Sequence, residues 1–349
     1  MYTDEDLNYA VEKGVFTGSS VEEFRSLLAS LRNSPSVDEE NFKLVSGFND
    51  IFVLISCTLV LASSVWFIEA VTDMTILAYA FYILLSWLLA EFFVLKRRMA
   101  LPAIALLFSF VGGVFTVSMT SFSALDDSFT GSLSENPTMY IVSAGLSALS
   151  AYLHWLRFKV PITVAVGVAA GVGLLVSIAV SIFPDSTDWL LITLFVCGVL
   201  AFVMAMYWDA SDLTRTTRNS DVAFWLHLLS APLIIHPVFS TLGVFDGNES
   251  IVDMAFVVIL YLLMTTISIV IDRRAFMVSS LIYVLYAISS IIKTYGGVGY
   301  SFALTGVVIG TALLLLSVFW HPARGKLIKL LPEFATDYVP QAKTTASLV

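Results

Sequence analysis

Ten uninterrupted apolar runs dominate this chain, near residues 50–70, 75–96, 100–120, 138–157, 161–183, 188–208, 222–243, 251–271, 275–294 and 301–320. Each holds about 20 residues, the length at which a helix rising ~1.5 Å per residue crosses ~30 Å of hydrocarbon. A bilayer offers no water to backbone N–H and C=O groups, so only helices and closed barrels span it. Barrel strands alternate apolar and polar residues; these runs do not. The expected fold is all-α: a polytopic membrane protein built as a ten-transmembrane-helix bundle. The composition agrees, with 58% hydrophobic and 13% charged residues, against about 25% charged in soluble domains.

The charges orient this bundle. Lys96, Arg97 and Arg98 follow the second run, Arg157 and Lys159 the fourth, Arg215 and Arg218 the sixth, and Arg273 and Arg274 the eighth. Arg324, Lys326, Lys329 and Lys343 follow the tenth, and Lys13, Arg25, Arg32 and Lys43 precede the first. All but one of the 18 basic residues therefore fall on one side. The exception, Lys293, is expected to snorkel to the opposite surface. Loops on that side are acidic, among them Glu69, Asp73, Asp126, Asp127, Glu135, Asp185 and Asp246. Basic residues stay cytoplasmic, which places both termini in the cytoplasm. The opening 20 residues are polar and acidic, so no cleavable signal peptide is expected.

Residues 1–48 are expected to form a small cytoplasmic helical module. Thr3 is placed to cap a first helix carrying Asp4, Glu5 and Asp6, and Gly14 to stop it. Ser19 or Ser20 is placed to cap a second, whose Val21, Phe24, Leu27, Leu28 and Leu31 share one face. After the Asn33-Ser34-Pro35 break, Ser36 and Glu39 have the spacing of a capping box. Either this module binds a protein partner or it packs on its own membrane domain. The membrane domain is read as residues 49–321. Residues 322–349 are read as a short amphipathic helix on the membrane surface, up to Pro332, followed by a tail.

Basic turns LKRRMALP, WLRFKVP and VIDRRAFM join runs 2–3, 4–5 and 8–9. They fit either tandem hairpins or two inverted five-helix halves, the latter an arrangement common among transporters. Small residues four apart, which let helices approach closely, mark run 4 (Ser143, Ser147, Ala151), run 5 (Gly167, Gly171) and run 10 (Gly306, Gly310).

Chemistry-bearing residues are few. The seventh run, DVAFWLHLLSAPLIIHPVFSTLG, carries His227 and His236 together with Pro232 and Pro237. The two histidines sit about 13 Å apart along an ideal helix and about 180° around it, so they cannot share one ligand. Each proline removes an i→i−4 bond. The stretch from Ser230 to Pro237 is therefore expected to be a helix break ending in a deep histidine. Glu91 is the acid deepest in the second run, expected to snorkel or to pair with Arg98. His236, Pro232, Ser230, His227 and Glu91 are the candidate substrate-contacting residues. A cytoplasmic-end group of His154, Asp209, Asp221, Asp272, Arg273, Arg274, Trp320 and His321 reads chiefly as aromatic belt and structural ion pairing. The histidines lack metal-ligand spacing, and Cys57 and Cys197 form neither a CxxC nor a zinc motif. No metal or cofactor is expected. No Walker A, GxSxG, HExxH or dinucleotide fingerprint appears, so no enzyme is expected. No basic aromatic groove points to nucleic acid.

The phrases GFNDIFV (47–53), SDVAFWLHLLSAPLIIHP (220–237), DRRAFMVSSLIYVLYA (272–287) and LLLLSVFWHPARGKL (313–327) resemble those of an uncharacterised family of bacterial polytopic membrane proteins. The resemblance implies a bacterial inner-membrane location and carries over no activity or functional residue. Two functions fit these observations. One is a secondary transporter or permease for a small neutral or lipid-like solute, since mid-membrane charge is nearly absent. The other is a non-transporting scaffold, assembly factor or sensor that meets a protein partner at its cytoplasmic face. Membrane lipid is the partner common to both.

Overall fold

The computed structural model describes residues 9–24, 48–125, 132–184, 186–213, 217–241, 251–295, 301–332 and 339. The chain divides into two compact units, Met1–Lys43 and Leu44–Val349.

The first unit is helical at 9–12 and 18–24. Gly14 ends the first helix with φ 69°, a conformation that costs glycine nothing. The second helix is capped by Thr17 rather than by Ser19 or Ser20. Its Oγ1 accepts the Ser20 N–H at 3.2 Å, which satisfies one of the orphan donors of the first turn. Thr3, the 33–35 break and the 36–39 capping box lie outside the described residues.

In the second unit helices occupy all ten apolar runs. They are α1 (Phe48–Thr72), α2 (Thr75–Ala90, continued by a π-helical turn Glu91–Lys96), α3 (Ala100–Ser123), α4 (Pro137–Phe158) and α5 (Ile162–Ile182). Then come α6 (Thr187–Ala210), α7 (Arg218–Thr241), α8 (Ile251–Ile271), α9 (Ala275–Tyr295) and α10 (Ser301–Ile328). The described residues contain no strand. Eight of these helices, α1 to α7 and α10, are long and apolar enough to cross a membrane. The apolar stretches of α8 and α9 are shorter, Ala255–Ile271 and Met277–Ser289. The protein is an integral, multi-pass membrane protein.

Helices pack mostly on their chain neighbours. α1 packs on α2 and α3, α3 on α4, and α4 on α5, while α9 holds α8 and α10. α7 is the junction: it packs on α5 and α6 on one side and on α9 on the other. That position explains its burial. Val222, Ala223, Leu226, His227, Ser230, Ala231 and Phe239 are wholly enclosed.

Four tight turns share a backbone device. Asp73, Arg98, Lys159 and Asp272, which end α1, α2, α4 and α8, have φ of 55°, 54°, 53° and 57°. A left-handed residue at this place lets orphan helix carbonyls be satisfied. The three basic turns singled out in the sequence thus share their conformation with the acidic turn at Asp73.

The small-residue stripe of α4 does bring helices together. Ser143, Ser147 and Ala151 are buried, a Cβ on Gly167 would stand 3.5 Å from that of Ala151, and Ser143 Oγ donates to Ser118 Oγ of α3 at 2.8 Å. The pair in α10 does not: Gly306 and Gly310 face open space. The tightest approach involves a glycine with no small partner four residues away. A Cβ on Gly198 would lie 2.8 Å from the Leu233 carbonyl carbon and 2.9 Å from the Ile234 nitrogen, so the backbones of α6 and α7 touch there.

Two expected breaks are absent. α7 runs unbroken through Pro232 and Pro237, and α10 runs through Pro322 to Ile328 rather than ending at residue 320. A proline forfeits one backbone bond and can kink a helix without ending it. In α10 the continuation is tied down by Arg324, which is 3% exposed and folds inward.

Candidate functional site

Five helices meet at the basic end of the bundle through the α8–α9 turn. Ser268, fully buried, holds this turn twice. Its carbonyl accepts the Arg273 N–H at 2.9 Å, and its hydroxyl donates to the Arg273 carbonyl. With Asp272 left-handed between them, consecutive side chains leave for different neighbours.

Arg273 goes to α6 and α7. Its Nη2 donates to Asp209 Oδ1 at 2.7 Å and its Nε to Oδ2 at 3.2 Å, the two-pronged fit of guanidinium to carboxylate. Nη2 also donates to the Ser220 carbonyl at 3.2 Å and meets Ser220 Oγ at 3.0 Å. His227 Nε2 stands 3.3 Å from Asp209 Oδ2. An ionised carboxylate only accepts, so Nε2 carries the proton. Asp209, His227 and Arg273 are 1%, 0% and 2% exposed.

Asp272 goes to α10. Trp320 Nε1 donates to Asp272 Oδ1 at 2.8 Å, Arg324 Nε lies 3.7 Å from the same oxygen, and the Arg274 guanidinium stands 5.2 Å over the Trp320 ring. The cytoplasmic-end group read from the sequence is therefore partly brought together. Asp209, Asp272, Arg273, Arg274 and Trp320 join one ionic clasp, which also takes in His227 and Arg324. His154 sits apart, in an aromatic nest with Phe158 (ring centroids 4.5 Å), Phe110 (6.0 Å) and Trp87 (6.2 Å). Its Nδ1 reaches Thr163 Oγ1 at 3.3 Å.

The other candidates on α7 separate by face. Ser230 is enclosed and spends its hydroxyl on the His227 carbonyl at 3.1 Å, so it offers nothing to a ligand. Leu228, Pro232 and His236, each one turn from the next, form the exposed stripe of this helix between its two ends. His236 Nδ1 meets the Tyr283 hydroxyl of α9 at 2.8 Å. Tyr283 is held by stacking on Phe239, with ring centroids 4.6 Å apart and planes at 23°. Nε2 of His236 makes no hydrogen bond among the described residues. His227 and His236 thus serve different neighbours on different faces, as their spacing predicts.

Glu91 does not pair with Arg98. It opens the π-helical turn of α2 and takes both prongs of Arg157 from α4, each at 2.7 Å. Arg98 is left-handed at the turn that follows, whereas Arg157, the penultimate residue of α4, reaches α2 directly. Two open grooves of about 750 and 650 Å³ lie at the opposite end of the bundle, one along Met74, Leu77 and Thr120, the other along Leu191, Phe195, Pro237 and Thr241.

Among the described residues no group of three or more His, Cys, Asp or Glu side chains is placed to hold a metal ion. Cys57 and Cys197 are buried and free. Tyr283, Arg324 and the pairing of Asp209 with Arg273 escaped the sequence reading. Their partners lie 47, 52 and 64 residues away in sequence, beyond any local spacing signal.

The chain matches no protein-family model, and comparison with curated proteins and with solved structures returns no match.

Proposed function

We propose that this integral membrane protein is a ten-span permease of the bacterial inner membrane for a small neutral or lipid-like solute, with both termini and the basic end of the bundle in the cytoplasm. The observation that carries this reading is the open α7 stripe. A polar imidazole in hydrocarbon needs a partner, and Tyr283 supplies one for a single ring nitrogen only. The other belongs to a side chain left exposed five residues before the end of α7, beside a proline, on the element that joins both sides of the bundle. A laterally open polar spot of this kind suits a solute arriving from the lipid phase. The scarcity of mid-membrane charge argues for an uncharged one. No catalytic residue belongs to this reading.

One observation favours a second reading, a scaffold, assembly factor or sensor with a protein partner at the cytoplasmic face. The Ser230 face of α7 is packed solid, and Gly198 locks α6 against it, which leaves little freedom for alternating access. Purified protein in liposomes separates the two. Stopped-flow light scattering reads glycerol entry, and dithionite quenching reads movement of a fluorescent diacylglycerol between leaflets. The permease reading expects one of these to exceed protein-free liposomes at least tenfold and to fall in His236→Phe. Rates equal to protein-free liposomes in both assays overturn it in favour of the scaffold.

A further inference from the structure

We propose that the α7 stripe binds the hydroxyl headgroup of an uncharged lipid, with its chains lying along α7 and α9 in the membrane. The proposal rests on the permease reading above for its choice of face and adds the ligand's chemistry.

The stripe presents two polar groups. Pro232 has no N–H to offer the Leu228 carbonyl, so that acceptor is left without its usual partner. Leu228 itself is 37% exposed. The second group is Nε2 of His236. The two residues are about 12 Å apart along the axis, and their polar groups lean toward one another. A helical carbonyl points toward the C-terminus, whereas a helical side chain leans back toward the N-terminus. Both therefore reach toward the level of Pro232, whose ring makes an apolar floor between them.

The ligand's chemistry follows from what these groups lack. The Leu228 carbonyl needs a donor. His236 needs a donor or an acceptor according to its tautomer: if Tyr283 donates to Nδ1, then Nε2 carries hydrogen, and if Tyr283 accepts, Nε2 is bare. A hydroxyl donates and accepts, so it serves the carbonyl as donor and the imidazole in either tautomer. A carbonyl-only ligand leaves the Leu228 oxygen unmet. Depth excludes a charged headgroup, because Pro232 lies near the middle of α7 and the charges of α7 and its partners sit at the helix ends. An imidazole nitrogen in hydrocarbon needs a partner, so the stripe favours an occupant.

The test uses the full chain in lipid nanodiscs with three photoreactive probes: a diazirine-bearing 1,2-diacylglycerol, its O-methyl ether, and the matching phosphatidic acid. Cross-links are located by peptide mass spectrometry. The expected result is diacylglycerol labelling within 225–240 or on the Tyr283 peptide at least fivefold above either control, lost in His236→Phe and reduced in Tyr283→Phe. Equal labelling by the O-methyl ether, or labelling unchanged in His236→Phe, overturns the proposal. So does a disulfide between two copies carrying Pro232→Cys in the cysteine-free background (Cys57→Ala, Cys197→Ala), which would assign the stripe to a second copy of this chain. A thermal melt of each variant guards against misfolding, and Leu228→Ala, which keeps the carbonyl and the proline, should still be labelled. Labelling with neither glycerol entry nor leaflet exchange would sink the permease reading alone; glycerol entry without labelling would sink this one alone.

Discussion

Replacing Arg273 with Met removes the guanidinium at the centre of the ionic clasp while keeping an apolar stem of similar length. The Asp209 carboxylate loses contacts at 2.7 and 3.2 Å and keeps only His227 at 3.3 Å. At 1% exposure it has no access to solvent. Breaking a buried pair from one side costs about 3–5 kcal/mol, because the remaining charge is uncompensated. At about 2.1 cal/mol/K of melting entropy per residue, the Leu44–Val349 unit shifts by about 1.5 °C per kcal/mol, so the melting temperature should fall by about 5–8 °C. The free thiols of Cys57 and Cys197, 4% and 6% exposed, make the readout convenient, since a thiol-reactive dye in detergent reports their exposure on heating. Asp209→Asn should cost a comparable amount. The double variant Asp209→Asn/Arg273→Met should recover at least half of the loss, because it removes both charges together. Single variants within about 2 °C of the parent would show that the pair is not buried as described. A double variant no better than the sum of its parts would show that the two residues are not coupled.

Other outcomes follow from the packing. Gly198→Ala should lower the melting temperature by several degrees, since overpacking costs about 1–3 kcal/mol and the obstacle is backbone 2.8 Å away; Gly310→Ala, in open space, should change it little. Trp320→Phe keeps most of the ring volume but strips the donor from buried Asp272, and about 1–3 kcal/mol of lost stability is expected, read by the same melt. Glu91→Gln, in a pair whose side chains are 31% and 53% exposed, should shift the melt far less than Arg273→Met, and the difference should shrink in high salt. In the cysteine-free background, cysteines placed at Arg98 and Arg274 should react with a membrane-impermeant thiol reagent from one side, and one at Met74 from the other. Labelling of all three from the same side would refute the topology.

Helix identity and placement were legible because hydrophobic length is a local property, although among the described residues only eight of the ten runs form helices long and apolar enough to span. The positions of the basic turns were legible from their charge, but their left-handed residues were not, since acidic Asp73 has the same conformation. The interior was less so. A lone Gly198 gives no small-xxx-small signal, yet it makes the closest backbone approach, while the Gly306–Gly310 pair gives the signal and packs on nothing described. His227 and His236 were correctly separated by helical geometry, but only the fold shows that one is enclosed and the other open. Asp272 and Arg273 looked like an ordinary boundary, because residues adjacent in sequence rarely serve opposite neighbours; it takes the left-handed Asp272 to send them apart.

That turn also bears on how the chain is made. Asp209 meets the arginine that neutralises it 64 residues later in synthesis, and Asp272 meets Trp320 only after 48 more. Until α10 has been inserted, the nascent bundle exposes an Asp272 without its indole and Arg324 partners. Completion of the clasp therefore coincides with completion of the membrane domain. A chain truncated before Trp320 lacks both α10 side chains that meet Asp272.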